Sequence, residues 1–382
     1  MVPVAYNYRN LIVRWKTTVM TACAFTLVVA AIVIMLAFVA GVQAVCTSSG
    51  QPENVLVLSR GSRDEVTSQL DSSQAIRIEN TRGVLRTSQG TRLASRELYM
   101  NIGQKDPTSG AYQLLQVRGV TPTAFQVHTQ VRIVSGRAMR RSQSEIIVGR
   151  GIQRQRGMRL GETCTFGPRT WTVVGIFEAD SSTFETEIWA DLTELAGCVR
   201  RDGNYSAIVL RTHSGTAAQN VVNVLSENRS VSVNAQTESG YYSKIAAEAN
   251  VIRTASLVIA GFMAVGAVFG ITNTMFAAIG KRIKDIAVLR ILGFSKTHIM
   301  ISFLFEALLI AALGCVVGVA LGYTLNGVSL QAAVGSKSVS FAFSVDPRAV
   351  LTSILFTLVM GFIGGLLPAL SAMRVTPLES FR

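Results

Sequence analysis

The stretch Lys281–Glu306, KRIKDIAVLRILGFSKTHIMISFLFE, lies between two long uncharged apolar runs. Ile283, Ile286, Leu289 and Leu292 recur at helical spacing, with Lys281, Arg282, Lys284, Asp285 and Arg290 around them, so the spacing predicts a short amphipathic helix. Gly293 breaks it. A second apolar run begins after Gly293, Phe294 and Ser295. The basic helix is therefore expected along one face of a membrane, within reach of a cytosolic partner. A plainer reading stands beside this one: a basic loop between two spans also serves simply to fix topology.

The apolar runs on either side belong to a chain of 382 residues that is 49% hydrophobic and 15% charged, with mean hydropathy +0.38. That is too apolar for an ordinary soluble protein. Crossing the hydrocarbon core takes about 20 apolar residues as a helix. Residues 17–45 meet that length between Lys16 and the polar run Cys46-Thr47-Ser48-Ser49. Residues 254–280 carry no charge between Arg253 and Lys281. Residues 299–325 hold a single acid, Glu306, and residues 349–373 are uncharged between Arg348 and Arg374. The expected fold class is an α-helical membrane protein with four transmembrane helices and a large α+β extracytoplasmic domain inserted between the first and second. The order is a cytoplasmic interfacial helix (1–16), helix (17–45), outer domain (46–250), helix (251–280), cytoplasmic coupling helix (281–298), helix (299–325), short outer loop (326–348), helix (349–373) and cytoplasmic tail (374–382).

A net charge of +13 would suggest nucleic acid in a soluble protein, but its distribution argues otherwise. Arg9, Arg14 and Lys16 precede the first span with no acid among them. Lys281, Arg282, Lys284, Arg290 and Lys296 face only Asp285 in the next short loop. The positive-inside rule puts both termini and residues 281–298 in the cytoplasm of a multi-pass membrane protein. Tyr8, Trp15 and the bases near them would sit among lipid headgroups. The outer segment is only mildly basic and lacks interleaved aromatics, so no nucleic-acid partner is expected. The first apolar run is longer than a signal peptide's and should remain as an anchor. Cys46 follows Val45, a poor context for lipid attachment. Cys23 and Cys315 read as packing residues. A Cys164–Cys198 disulfide is open in an oxidising compartment, and spacing does not decide it.

Within the outer segment, strands are expected at residues 54–58, 145–148, 206–210 and 231–233. A hairpin is expected from 163–166 and 170–177 around Gly167-Pro168, with helices at 152–157 and 217–227. Residues 77–129 pattern weakly and read as a separate inserted subdomain. From Tyr241 the sequence turns helical and continues into the second span, which suggests a rigid link. Glu306 lies about two turns into the third span and defaults to a functional role, or to pairing with Arg290 or Lys296. Gly314, Gly318 and Gly322 form a stripe that allows close helix packing, either within the bundle or against a second copy.

No catalytic or metal centre is expected. There is no G-x-x-x-x-G-K-[ST] loop; Gly335-Ser336-Lys337-Ser338 only resembles its tail. Gly149-Arg150-Gly151 lacks the third glycine of a dinucleotide fingerprint. No G-x-S-x-G, H-E-x-x-H or C-x-x-C occurs. His128, His213 and His298 are scattered.

The order of one span, a large outer domain and three further spans resembles the MacB/FtsX-like ABC transporter permeases. Residues 282–293 look like the family's R-x-[KR]-[DE]-I-[GA] coupling segment, and Phe303-Leu304-Phe305-Glu306-Ala307 resembles its F-L-x-E-A. Pro368, Ala369, Arg374, Pro377, Glu379 and Arg382 fit its C-terminal pattern. Ser135-Gly136-Arg137, Ile147-Val148-Gly149 and Trp171-Thr172-Val173-Val174-Gly175 are similar to parts of its periplasmic core domain. Gly280 departs from the pattern, since members often carry Glu there. The resemblance implies a non-catalytic permease subunit whose residues Lys281, Arg282, Ile283, Lys284, Asp285, Ile286, Leu289, Arg290, Gly293 and Phe294 dock on a cytosolic ABC ATPase dimer. ATP and Mg would be bound by that partner, with no cofactor in this chain. It also implies a second permease copy as a homodimer, membrane lipid around the spans, and room for a periplasmic adaptor. The expected function is to couple ATP hydrolysis to movement of the outer domain, driving export or extraction of a substrate. The alternatives are an FtsX-like regulator of a cell-wall hydrolase and a membrane receptor without an ATPase.

Overall fold

The structure is a computed structural model that describes residues 9, 11–13, 15–105, 112–228, 231–334 and 337–374. Its contacts divide the chain into a membrane unit (Met1–Gly41, Asn250–Val328, Ala342–Arg382) and an outer unit (Val42–Ala249, Ser329–Phe341).

In chain order, helix α1 spans Trp15–Ser49 and strand β1 Asn54–Ser59, followed by β2 Leu70–Asp71, α2 Ser72–Glu79, β3 Ala94–Lys105, β4 Tyr112–Val120, α3 Ala124–Val127, β5 Arg132–Gly136, β6 Glu145–Gly149 and α4 Arg150–Arg156. Next come β7 Thr163–Phe166, β8 Arg169–Glu178, a 3-10 turn at Thr183–Thr186, β9 Glu187–Asp191, α5 Leu192–Val199, β10 Asn204–Tyr205, β11 Ala207–Arg211, α6 Gly215–Glu227 and β12 Val233–Thr237. The chain continues with α7 Glu238–Gly280, α8 Ile283–Ile291, α9 Lys296–Tyr323, the hairpin β13 Ser329–Val334 and β14 Lys337–Ala342, and α10 Pro347–Ala372.

Helices α1, α7, α9 and α10 are each long and apolar enough to cross a membrane. Their ends differ from the expected ones for a physical reason. The polar run after Val45 ends the apolar stretch but not the helix, because Thr47, Ser48 and Ser49 return their hydroxyls to carbonyls of the preceding turn: Thr47 Oγ1 donates to Gln43 O (2.8 Å) and Ser49 Oγ to Val45 O (2.7 Å). At the other end, Trp15 and Lys16 belong to α1 and residues 9 and 11–13 are helical, while the rest of the expected interfacial helix 1–16 lies outside the described residues.

The membrane unit is built on close backbone approach. A Cβ added at Gly314, Gly318 or Gly322 of α9 would lie 2.5 Å from Phe25 Cβ, 2.7 Å from Val29 Cβ and 2.5 Å from Val33 Cγ1 of α1. The glycine stripe thus serves the chain's own bundle, and Thr26 Oγ1 donates to Gly314 O across the seam (3.3 Å). Gly361 and Gly365 of α10 meet Ala311 and Ala307 of α9 in the same way.

The outer unit is organised by a ten-stranded sheet among the described residues, in the order β12-β1-β11-β3-β4-β9-β6-β8-β5, with β7 paired to β8. The β4–β9 and β6–β8 pairs are parallel. The expected strands and the 163–177 hairpin are present, with the last strand shifted to Val233–Thr237. One expectation is overturned: residues 77–129 are not a separate subdomain, because β3 and β4 pair along their length in the middle of the sheet. One face of the sheet carries apolar clusters around Leu98, Val117 and Ile188 and around Val55, Val57 and Ile208. Side-chain alternation sends Glu97, Arg118 and Glu187 to the other face. Cys164 and Cys198 are buried and not joined by a disulfide.

The glycines of the outer-domain motifs mark tight backbone crossings. Gly136 has φ +76°, and a Cβ there would sit 2.2 Å from Val174 O; one at Gly149 would sit 2.3 Å from Glu185 O. Neither position has room for a side chain.

Candidate functional site

Among the described residues, one cluster in each unit brings buried charged side chains of opposite sign together. In the membrane unit, α7 ends at Gly280, and Lys281 and Arg282 turn the chain into α8. Arg282 N bonds back to Ile279 O (2.9 Å), and Ile286 N takes Arg282 O (2.9 Å). Gly293, at φ +91°, closes α8, a backbone that favours glycine. Ser295 then caps α9 by accepting from His298 N (3.3 Å).

The burial of this segment corrects the expected amphipathic pattern. Ile283, Ile286, Leu289 and Leu292 do not share one buried face. Ile286 packs into the bundle with Ile299, Phe303 and Ala369, and Ala287 is buried, while Leu289, Arg290 and Phe294 are half-buried. Ile283, Val288, Ile291 and Leu292 point outward, Leu292 with 70% of its surface exposed. Lys281, Lys284, Asp285 and Gly293 are exposed among them. The outward face is therefore apolar and charged together. Arg282 is buried instead, and its Nη1 lies 3.2 Å from Glu306 Oε2. Glu306 thus pairs with Arg282, whereas Arg290 Nη1 donates to Phe294 O (3.2 Å). The expectation that Arg290 or Lys296 neutralises Glu306 fails because Arg282, on the turn, reaches the carboxylate first. Beside Glu306 lies a cavity of about 20 Å³ lined also by Thr17, Thr18, Thr21 and Thr274, enough for one water.

The outer unit holds the larger ionic cluster, which the sequence did not signal. Arg118 is completely enclosed. Its Nε and Nη2 grip both oxygens of Glu187 (2.6 and 2.7 Å), and its Nη1 donates to Glu65 and Glu97 (2.6 Å each). Tyr99 and Phe184 cover its guanidinium at 4.8 and 5.3 Å. Glu97 also meets His128 Nε2 at 2.7 Å, and His128 Nδ1 stands 3.5 Å from Glu238 Oε1, an ion contact rather than a short hydrogen bond. Burial alone would lower the His128 pKa, but the facing carboxylates of Glu97 and Glu238 outweigh it and hold the ring at about 10. Burial pushes Glu97 up, and His128 with Arg118 reverse this, so its carboxyl stays below the usual range. Among the described residues, no three His, Cys, Asp or Glu side chains converge as a metal site.

Of the C-terminal pattern, Pro368 and Ala369 are buried in α10, and Arg374 follows the helix. Pro377, Glu379 and Arg382 lie outside the described residues, as does the Gly335-Ser336 pair.

A family profile described as MacB-like periplasmic core domain matches residues 18–227, and one described as FtsX-like permease C-terminal matches residues 257–377. The macrolide export ATP-binding/permease protein MacB of Hahella chejuensis is 23% identical over 234 residues, 58% of this chain and 34% of that protein. MacB of Photorhabdus laumondii is 23% identical over 293 residues, 69% of this chain and 43% of that protein. The chain thus spans less than half the length of these relatives. The uncharacterized ABC transporter permease YknZ of Bacillus subtilis is 29% identical over 124 residues, 32% of this chain and 30% of that protein. The solved periplasmic region of MacB from Actinobacillus actinomycetemcomitans aligns with 52% of this chain and 94% of its own, at 12% identity and a TM-score of 0.38.

Proposed function

The chain belongs to the MacB/FtsX-like ABC transporter permease family, and from that premise we propose that it is the membrane subunit of a transporter whose ATP is hydrolysed by a separate cytosolic ABC ATPase. In this reading α8 is the docking element, both termini are cytoplasmic, and residues 46–250 lie outside the inner membrane. Two permease copies assemble with two ATPase subunits, which bind ATP and Mg. The permease contributes no catalytic group. Closure of the ATPase pair moves α8, and α7 carries that displacement toward the outer unit, where it drives export or extraction of a substrate with room for a periplasmic adaptor.

The observation that carries this reading is the division of labour on α8. Its inner side is fixed by Ile286 and the Arg282–Glu306 pair, so a push on it is passed to α9 instead of bending a loop. Its outer side offers Val288, Ile291 and Leu292 beside Lys284 and Asp285, an apolar patch with a charged rim. Such a patch fits a protein partner, where apolar anchors supply affinity and charges supply register.

The test follows from the burial. Ile286 is enclosed, so a charge there would report on folding. Ile291→Asp with Leu292→Asp changes the exposed face only. The paired variant should insert and purify normally yet lose co-purification of the ABC ATPase expressed with it. Retention of the ATPase at the wild-type ratio would refute docking at α8.

A further inference from the structure

The outer ends of α1 and α7 meet within the outer unit at one carboxylate. Glu238, the first residue of α7, is 2% exposed. Its Oε2 accepts from Gln51 N and from Asn54 Nδ2, both at 3.0 Å, just beyond the end of α1. Gly50 lies so close to the first turn of α7 that a Cβ would stand 2.6 Å from Ser239 Cα. Ser49 and its surroundings are tied to the same core: Thr183 N donates to Ser49 Oγ (2.8 Å) and Gln130 Nε2 to Ser49 O (3.3 Å). The other oxygen of Glu238 faces His128, which stands against Glu97 of β3, and Glu97 is in turn bound to Arg118 of β4.

We propose that Glu238, clamped by His128, is the joint that fastens the outer ends of α1 and α7 to the strands β3, β4 and β9. This rests on the reading of the chain as a force-transmitting permease and names the side chains through which force reaches the sheet. Three features of the geometry support it. The carboxylate accepts hydrogen bonds from the residues following α1 and makes an ion contact with His128 of the sheet's ionic cluster. The cluster is stiff, because Arg118 is held by four carboxylate oxygens on three separate segments and covered by the rings of Tyr99 and Phe184. The joint is also tight, since Gly50 leaves no room for slippage between the two chain segments.

The groups facing His128 fix how the joint responds to pH. Glu97 and Glu238 contact the ring; Arg118, Glu65 and Glu187 form the next layer; Phe184 and Trp189 pack against its faces with no charge. The folded pKa of about 10 stands above the ordinary 6.5. Protonated His128 therefore contributes fully below about pH 6.5, and its contribution is lost as pH rises through about 10. Over the neutral range the clamp stays closed, so His128 serves as a positioning residue with a fixed charge.

The experiment is hydrogen–deuterium exchange on the full chain in nanodiscs, following residues 49–54 and 238–249 against the strand segments 145–149 and 187–191. Glu238→Gln and His128→Gln should each raise exchange at 49–54 and 238–249 about tenfold or more, with the strands unchanged. Unchanged exchange at 238–249 would overturn the proposal. Equal loss of protection in helix and strands would also overturn it, because the cluster would then be general core and not a joint. Wild-type protein gives an independent reading through the ring nitrogen shifts of His128, with His213→Gln and His298→Gln removing overlap. A doubly protonated ring at pH 8 is expected, and a neutral ring at that pH would refute the clamp. Because these readouts need no ATPase, their failure is distinguishable from a failure of docking at α8.

Discussion

In the outer unit a fully enclosed arginine meets three carboxylates, whereas in the membrane unit three glycines let α9 lie directly on α1, and Arg282–Glu306 is the one buried ion pair among that unit's described residues. The difference follows from the solvent each part meets. A sheet folding in water gains enough from covering apolar surface around Leu98, Trp171 and Ile208 to enclose charges on its other face, provided every charge finds partners. Helices in lipid gain nothing by hiding apolar side chains from one another and must find contact area by close backbone approach. The outer unit is thus specified by charge placement and the membrane unit by shape.

Removing Arg118 should have the largest effect. Arg118→Met would leave Glu65, Glu97 and Glu187 enclosed without their cation, and breaking such a group costs about 3–5 kcal/mol. Trp189 reports on the site, since its Nε1 donates to Glu187 at 3.0 Å. Thermal unfolding of the full chain followed by tryptophan fluorescence should show the outer unit melting far below the wild type. A shift within about 1 kcal/mol of wild type would mean that the cluster is a bystander and that shape specifies this unit too.

The second test strikes the packing. Gly318→Leu would drive a side chain into Val29, where even a Cβ stands 2.7 Å away, and overpacking of this kind costs about 1–3 kcal/mol. Denaturation with an ionic detergent should show the loss, while exchange in the outer sheet stays as in wild type. Unaltered resistance to detergent would mean that α9 does not lie on α1.

These two sites were unequally legible in the sequence. The glycine stripe could be read from spacing, because a four-residue period marks one helix face whatever it meets; its partner, α1, could not. The Arg118 cluster was hidden. In β3 and β4, Glu97, Gln116 and Arg118 occupy inward positions, so the alternation that identifies a strand is broken by the residues that matter most there. Their mutual neutralisation depends on Glu65, His128, Glu187 and Glu238, which lie far apart in sequence. A scan for charged residues inside otherwise strand-like stretches would have flagged Glu97 and Arg118 without supplying the pairing. At α8, composition announced a basic segment, but which residues face outward was set by α9 and α10. Hence Ile291 and Leu292 took the exposed place expected for other positions.

The smallest effect belongs to Arg282 and Glu306, and it sharpens the comparison most. Arg282 Nη1 donates to Glu306 Oε2 at 3.2 Å, and Glu306 adjoins a water-sized cavity, so a water can meet its carboxylate when Arg282 is lost. Polar contacts within membrane bundles couple by about 0.6 kcal/mol on average, reaching about 1.7. Glu306→Gln and Arg282→Gln should therefore each cost about 1 kcal/mol in detergent denaturation, and the double variant should cost less than the sum of the two, as expected for groups in contact. Strict additivity would place the two side chains in separate environments. A coupling as large as that of the Arg118 cluster would mean that charge specifies the membrane unit as well. The intermediate result leaves this pair a distinct role. It holds the turn between α7 and α8 in register with α9, so that the exposed face of Val288, Ile291 and Leu292 is presented by a fixed helix, while the glycines keep the bundle itself together.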